Sequence, residues 1–139
     1  MISLAEKKAV LRALDANCNR AREGFRVAED VARFILNDPA LLNQIKKLRH
    51  AVSRAEQRLF KAHALRTLHR DVARDLGRQT REKTEKTRTN SKALLTANLK
   101  RAQEALRSLE EFSKLLNDPT FKSFKKIRYE CYKLEEAYP

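Results

Sequence analysis

The feature that most constrains this chain is a repeat. Residues Asp15 to Asp30, DANCNRAREGFRVAED, return as Thr96 to Glu111, TANLKRAQEALRSLEE, with seven identical positions. The identical pairs are Ala16/Ala97, Asn17/Asn98, Arg20/Arg101, Ala21/Ala102, Glu23/Glu104, Arg26/Arg107 and Glu29/Glu110. The echo continues downstream, where Asn37-Asp38-Pro39 answers Asn117-Asp118-Pro119 and Lys46-Lys47 with Arg49 answers Lys125-Lys126 with Arg128. Glu56 answers Glu135, and the offset falls from 81 to 79 on the way, so the second copy is short by two single residues. An internal duplication of this length must appear in the fold as two similar units packed together.

Those units are helical. Two glycines, no tryptophan and 35% charged residues leave too few turn formers for sheets or barrels. Ser3-Leu4-Ala5-Glu6 is a capping box, so a helix begins at Leu4. Leu11, Leu14, Ala21, Phe25, Ala28, Ala32 and Ile35 recur at three- and four-residue spacing and carry it to about Leu36, with an irregularity expected near Asp15 to Asn17. Ala16, Val27, Val31 and Phe34 widen that stripe. Asn19, Arg22, Arg26, Glu29 and Arg33 are placed on the wetter side.

Asp38 can cap a second helix whose first position is Pro39, where a missing N–H costs nothing. Leu41, Ile45, Leu48, Val52, Ala55 and Leu59 give it an apolar face. Asn90 or Thr89 caps a third helix, and Asp118-Pro119 starts a fourth with Phe121, Phe124, Ile127, Cys131 and Leu134 inside. The expectation is one all-α domain: a four-helix bundle of two duplicated hairpins related by a pseudo-two-fold. Repeat one spans about 4–64, a charged connection about 65–90, and repeat two about 91–139.

No apolar run approaches the ~20 residues of a membrane span, and no cleavable leader opens the chain, so a cytoplasmic location without membrane contact is expected. Cys18 aligns with Leu99 and Cys131 with Val52, which reads both as small core residues. His50, His63 and His69 have no partner at ligand spacing. The net charge of +13 points to a polyanionic partner, a nucleic acid or a small phosphorylated ligand. Ten Lys/Arg against four Asp/Glu fall between Arg58 and Arg88. That stretch has Phe60 as its sole aromatic and no recognition-helix signature, which weighs against nucleic acid.

Candidate chemistry lies in three places. Asn17 and Asn98 are poor mid-helix residues, so either their amides pair across the pseudo-axis and fix register, or they bind a ligand's polar edge. The pairs Arg20/Glu23 and Arg26/Glu29, repeated as Arg101/Glu104 and Arg107/Glu110, have ordinary ion-pair spacing. Their repetition while Asn19/Lys100 and Arg22/Gln103 change favours a buried network or a ligand site. Arg70-Asp71-Val72-Ala73-Arg74-Asp75-Leu76-Gly77 offers arginine forks for phosphate and two carboxylates for Mg²⁺, or else a charged helical turn with a glycine stop. No common glycine-rich nucleotide cradle occurs in the chain.

Together these motifs resemble a family. DANxNRAxEGxRVxED, then RDxxxDxG, ExxR before AxxxRxxEALRxLEE, and IRYxxYxLE are matched at Asp15 to Asp30, Arg70 to Gly77, Glu85 to Arg88, Ala97 to Glu111 and Ile127 to Glu135. The pattern is similar to the all-helical domain fused to the N-terminus of some thiamine phosphate synthases and also found alone. That family is assigned as a second, non-ribokinase type of hydroxymethylpyrimidine phosphate kinase. The resemblance implies ATP-dependent phosphorylation of hydroxymethylpyrimidine phosphate in thiamine biosynthesis, with ATP and Mg²⁺ as cofactors. It casts Arg20, Arg26, Arg101 and Arg107 as phosphate clamps, and Asp71, Asp75 or the repeat glutamates Glu23 and Glu104 as Mg²⁺ holders. Arg70 and Arg74 join the substrate contacts, and Asn17 or Asn98 would read the aminopyrimidine edge. The synthase barrel needs far more residues than this chain has. Competing readings are a basic helical nucleic-acid-binding module and a non-catalytic helical partner of a thiamine phosphate synthase; a duplicated hairpin also admits a homodimer.

Overall fold

The computed structural model describes residues 1–63 and 87–138, and within them the chain forms four long helices. They are α1 (Leu4–Asp30), α2 (Pro39–His63), α3 (Ser91–Leu115) and α4 (Phe121–Ala137). The expected boundary chemistry is present at three of the four starts. Ser3 and Glu6 form the reciprocal capping box. The Asp38 carboxylate accepts from the Leu41 N–H at 3.0 Å, and the Asn90 side chain from the Ala93 N–H at 2.8 Å. The fourth start differs: Asp118 accepts from the Thr120 N–H at 2.8 Å, and regular helix begins only at Phe121. Pro119 and Thr120 form a tighter turn first, with Ser123 N–H donating to the Thr120 carbonyl.

Both hairpin turns are built on the same backbone device. Asn37 and Asn117 take positive φ values of 50° and 51°, a left-handed conformation that asparagine tolerates better than most residues. The following aspartate N–H then bonds back into the preceding helix, Asp38 to the Ala32 carbonyl at 2.9 Å and Asp118 to the Ser113 carbonyl at 3.1 Å. The first link reaches back six residues and the second five. The surplus residue sits in a π-helical turn, Val31–Ile35, where Leu36 N–H bonds to the Val31 carbonyl at 2.9 Å. This is the physical form of the first drop in the repeat offset. The second drop falls at the entry to α2 and α4, where the first repeat starts its helix earlier.

The irregularity in the first long helix therefore lies at Val31–Ile35, and Asp15 to Asn17 is ordinary α-helix. It has a packing cost that the apolar spacing did not foretell. A wider turn rotates the residues that follow it, so Phe34 and Ile35, expected inside, are exposed while Val31 and Ala32 remain buried.

Helix directions follow from two links at the bundle ends. The Tyr138 hydroxyl, just past α4, donates to Asp38, just before α2, at 2.7 Å. His63, the last residue of α2, lies 3.1 Å from Asp118, which precedes α4. Helices α2 and α4 thus run antiparallel, and because each hairpin is antiparallel, so are α1 and α3. The α1–α3 seam is the most extensive in the bundle. It is also close: a Cβ on Gly24 would fall 2.7 Å from the Asn98 carbonyl oxygen, so only glycine permits this approach. Between the four helices lies one apolar core containing Leu11, Leu14, Phe25, Leu41, Ile45, Leu59, Leu99, Leu106, Leu109 and Phe124. Cys18 and Cys131 are buried in it and form no disulfide, as their alignment with Leu99 and Val52 implied.

Candidate functional site

The structure separates the repeated residues into those that hold the bundle together and those that do not. Glu29, placed on the wet face by helical spacing, and its counterpart Glu110 are in fact almost fully buried, at 2% exposure each. Each is clamped from the partner helix of its own hairpin. Arg49 Nε donates to Glu29 at 2.9 Å, and Arg128 grips both carboxylate oxygens of Glu110, the Nη2 bond being 3.0 Å. A buried carboxylate needs a paired charge to be tolerated, and repetition of both members is how the sequence supplies it. Glu110 and Tyr132 hold the Arg128 guanidinium charged well above its usual range, against the opposing effect of burial.

A second cross-hairpin link joins the other repeated acids. Glu56 pairs with Arg22, and Glu135 accepts from Gln103 at 2.6 Å. Arg22, expected on the wet side, is therefore drawn inward to 22% side-chain exposure. The change from Arg22 to Gln103 keeps the contact while replacing an ion pair by a neutral donor. Sequence spacing within one helix could not reveal these partners, because they lie on the next helix; the joint recurrence of Glu29 with Arg49, and of Glu56, was the available signal.

Asn17 and Asn98 are buried, and each donates its side-chain amide to a carbonyl of its own helix at 2.9 Å, Ala13 and Leu94 respectively. They do not pair across the pseudo-axis. Asn98 is level with Gly24, seven residues from Asn17, which is about 10 Å along an α-helix. Asn17 also accepts from Arg20 at 3.4 Å.

The remaining repeated charges stand on the outer surface. Arg26 and Arg107 are exposed and make i,i+3 pairs with Glu29 and Glu110 at 3.4 and 3.9 Å. Arg20, Glu23, Arg101 and Glu104 are exposed as well. Arg101, Glu23 and Glu104 make no ion pair or side-chain hydrogen bond among the described residues. Charges repeated in both copies with no structural partner are the ones a ligand would explain.

In the second repeat these residues line an open hollow of about 450 Å³, whose wall includes Thr87, Arg88, Ala97, Lys100, Arg101 and Glu104. Three cations surround one carboxylate, an arrangement suited to phosphate oxygens. A Mg²⁺ ion ordinarily takes one or two carboxylates beside substrate phosphates, so Glu104 is a fitting ligand. Among the described residues no group of three or more His, Cys, Asp and Glu side chains comes together. Arg70, Asp71, Arg74 and Asp75 lie outside the described residues, as does Glu85.

Comparison with known proteins places the chain in a family. The family model described as the ThiD2 family matches residues 12–137. The chain belongs to the ThiD2 family. Its similarity to curated proteins points the same way. It is 42% identical over 133 residues to the thiamine-phosphate synthase of Synechocystis sp., covering 96% of this chain and 37% of that protein. It is 39% identical over 128 residues to the thiamine-phosphate synthase of Rhodopirellula baltica, covering 92% of this chain and 34% of that protein. A thiamine-phosphate synthase of Nostoc sp. is 41% identical over 129 residues, covering 93% and 35%. This ThiD2 chain thus spans little more than a third of the curated relatives it matches. No solved structure matches it. Among the described residues of this ThiD2 chain, no helix is long and apolar enough to cross a membrane.

Proposed function

We propose that this ThiD2 domain acts in thiamine biosynthesis by transferring a phosphoryl group from ATP to hydroxymethylpyrimidine phosphate, giving the diphosphate. The observation that carries the reading is the hollow on α3. Arg101 and Glu104, repeated charges without an ion pair or side-chain hydrogen bond among the described residues, share its wall with Arg88 and Lys100. Phosphoryl transfer asks a protein chiefly for positioning and charge neutralisation, which arginine and lysine around a phosphate provide. In this reading Arg101, Arg88 and Lys100 hold phosphate oxygens and Glu104 helps hold Mg²⁺. Arg20, Glu23, Arg26 and Arg107 extend the charged face; the family resemblance assigns Asp71 and Asp75 to the metal and Arg70 and Arg74 to phosphate, and these four lie outside the described residues. Asn98 keeps its amide oxygen for a ligand's polar edge, and Asn17 shares its own with Arg20. ATP with Mg²⁺ supplies the transferable phosphoryl group.

The test is to incubate purified protein with ATP, Mg²⁺ and the pyrimidine monophosphate and to follow the diphosphate by phosphorus NMR. Product formation that Arg101→Ala abolishes at unchanged melting temperature supports the kinase. No turnover, with tight salt-sensitive RNA binding instead, would overturn it.

A second reading rests on the relatives' names and lengths: the domain works as the helical companion of a thiamine-phosphate synthase. It is checked by whether adding this protein to a purified synthase changes that enzyme's rate or retention on gel filtration.

A further inference from the structure

The α3 hollow does not end at Glu104. A second open hollow of about 410 Å³ continues it along the same helix, sharing Lys100 and Glu104 and adding Gln103, Arg107 and Tyr132. The first hollow is cationic and hydroxylated; the second has an aromatic wall. Tyr132 comes from the IRYxxYxLE stretch, which the phosphate reading leaves unused.

The Tyr132 ring is held by Arg128 and Tyr129. Its hydroxyl accepts from Arg128 Nη1 at 2.9 Å, and Arg128 is itself fixed by Glu110. The same guanidinium lies 5.5 Å from the Tyr132 ring centre and 5.0 Å from that of Tyr129. Tyr129 meets Tyr132 edge-on, centres 5.6 Å apart at 89°. A partly exposed ring whose orientation is set beforehand loses little freedom when a second planar group stacks on it.

The first repeat lacks this surface at the equivalent positions. Lys100 is answered by Asn19, Tyr132 by Ser53 and Tyr129 by His50; Gln103, bound to Glu135, is answered by Arg22, bound to Glu56. The pseudo-two-fold therefore relates a platform with a bridging cation to a site with neither.

We infer that the second repeat alone carries the working groove. In it Tyr132 is the platform for the planar ring of a phosphate-bearing heteroaromatic, whose phosphate lies on Lys100 toward Arg101 and Arg88. The inference deepens the proposed function and rests on it for the identity of the phosphate. Two sources share this chemistry, the pyrimidine monophosphate and an adenine nucleotide.

Calorimetric titration of the full chain with the pyrimidine monophosphate, with ADP, and with ribose 5-phosphate as a ringless control tests it. Tyr132→Ala is expected to weaken one ring-bearing ligand about 10- to 100-fold and to leave ribose 5-phosphate unchanged. The ligand that loses affinity names the source. Tyr132→Phe keeps the ring and retains affinity, Ser53→Ala changes nothing, and Lys100→Asn weakens all three ligands. In the wild-type protein, NMR ring-proton shifts of Tyr132 on adding that ligand give a readout independent of any variant's folding. The inference is overturned by unchanged affinity in Tyr132→Ala, by equal loss for ribose 5-phosphate, or by Tyr132 resonances that none of the ligands moves. Binding at Tyr132 without phosphoryl transfer would sink the kinase and leave the platform standing. Turnover by Tyr132→Ala with unchanged KM for both substrates would do the reverse.

Discussion

Arg128 holds Glu110 through both carboxylate oxygens inside the second hairpin, where Arg49 holds Glu29 through one at 2.9 Å inside the first. Two copies of one ion pair have thus diverged in strength of grip. Breaking a buried pair by removing one partner costs about 3–5 kcal/mol, because the other charge is left buried and uncompensated. Arg128→Ala is expected to fall in that range by urea denaturation. Arg49→Ala should cost less, since Arg49 retains 18% exposure and water can reach its side of the pair.

Gly24→Ala reverses an ordinary rule. Alanine in a helix interior normally stabilises by about 1 kcal/mol over glycine. Here the added methyl meets the Asn98 carbonyl oxygen at 2.7 Å and the Ala102 amide at 3.3 Å, both backbone atoms that cannot swing away. Net destabilisation of about 1–3 kcal/mol is expected from overpacking, seen as a lower melting temperature.

Deleting Arg33 should leave the protein folded. The second repeat makes the same connection with one residue fewer, and Arg33 is exposed, so the deletion removes the π turn without removing core. Circular dichroism should show unchanged helix content and a cooperative melt. Loss of the cooperative transition would mean that the extra residue is required by the packing of α1.

Asp118 sets an acid limit on stability. Burial pushes its carboxyl up, but the Thr120 hydrogen bonds and His63 outweigh that and hold it below the ordinary carboxylate value. With the folded value depressed, its contribution is complete above the ordinary value and is lost as pH falls through the depressed one. Asp118→Asn should therefore flatten the acid side of a stability profile, which a series of urea melts would show.

The Tyr138 hydroxyl behaves oppositely. Its bond to Asp38 raises the phenol above its ordinary value, so the stabilisation is full below that value and is lost as pH rises through the raised one. Tyr138→Phe should remove this alkaline loss, measured by melting temperature between pH 9 and 11.

Much of the architecture was legible in the chain itself, because caps, apolar period and the Asn-Asp-Pro turns are local signals that no distant contact overrides. The π turn was half legible: the offset change announced an extra residue between Glu29 and Asn37, but apolar spacing carried Phe34 and Ile35 inward past it. Partners were not legible. The repeat shows that Glu29, Arg49, Arg22 and Glu56 belong to positions that matter, whereas which charge meets which depends on how α1 and α2 face each other. The same limit explains Asn17 and Asn98, whose pairing across the axis required a register that the antiparallel seam does not have. For the candidate site, Arg101, Glu104 and Arg107 of α3 were named by repetition, Lys100 was passed over because Asn19 stands at its counterpart, and Tyr132 needed the fourth helix in place beside them.

The two end links have a consequence for how the molecule is made. Asp38 is bonded by Tyr138 of the other hairpin, and Asp118 by His63 of the first. Each turn aspartate takes one side-chain partner from the other half. With the seam at Gly24 also formed between halves, every one of these contacts lies outside residues 64–86. A chain severed within that stretch should reassemble from its two fragments, a covalent pair turned back into a complementing one.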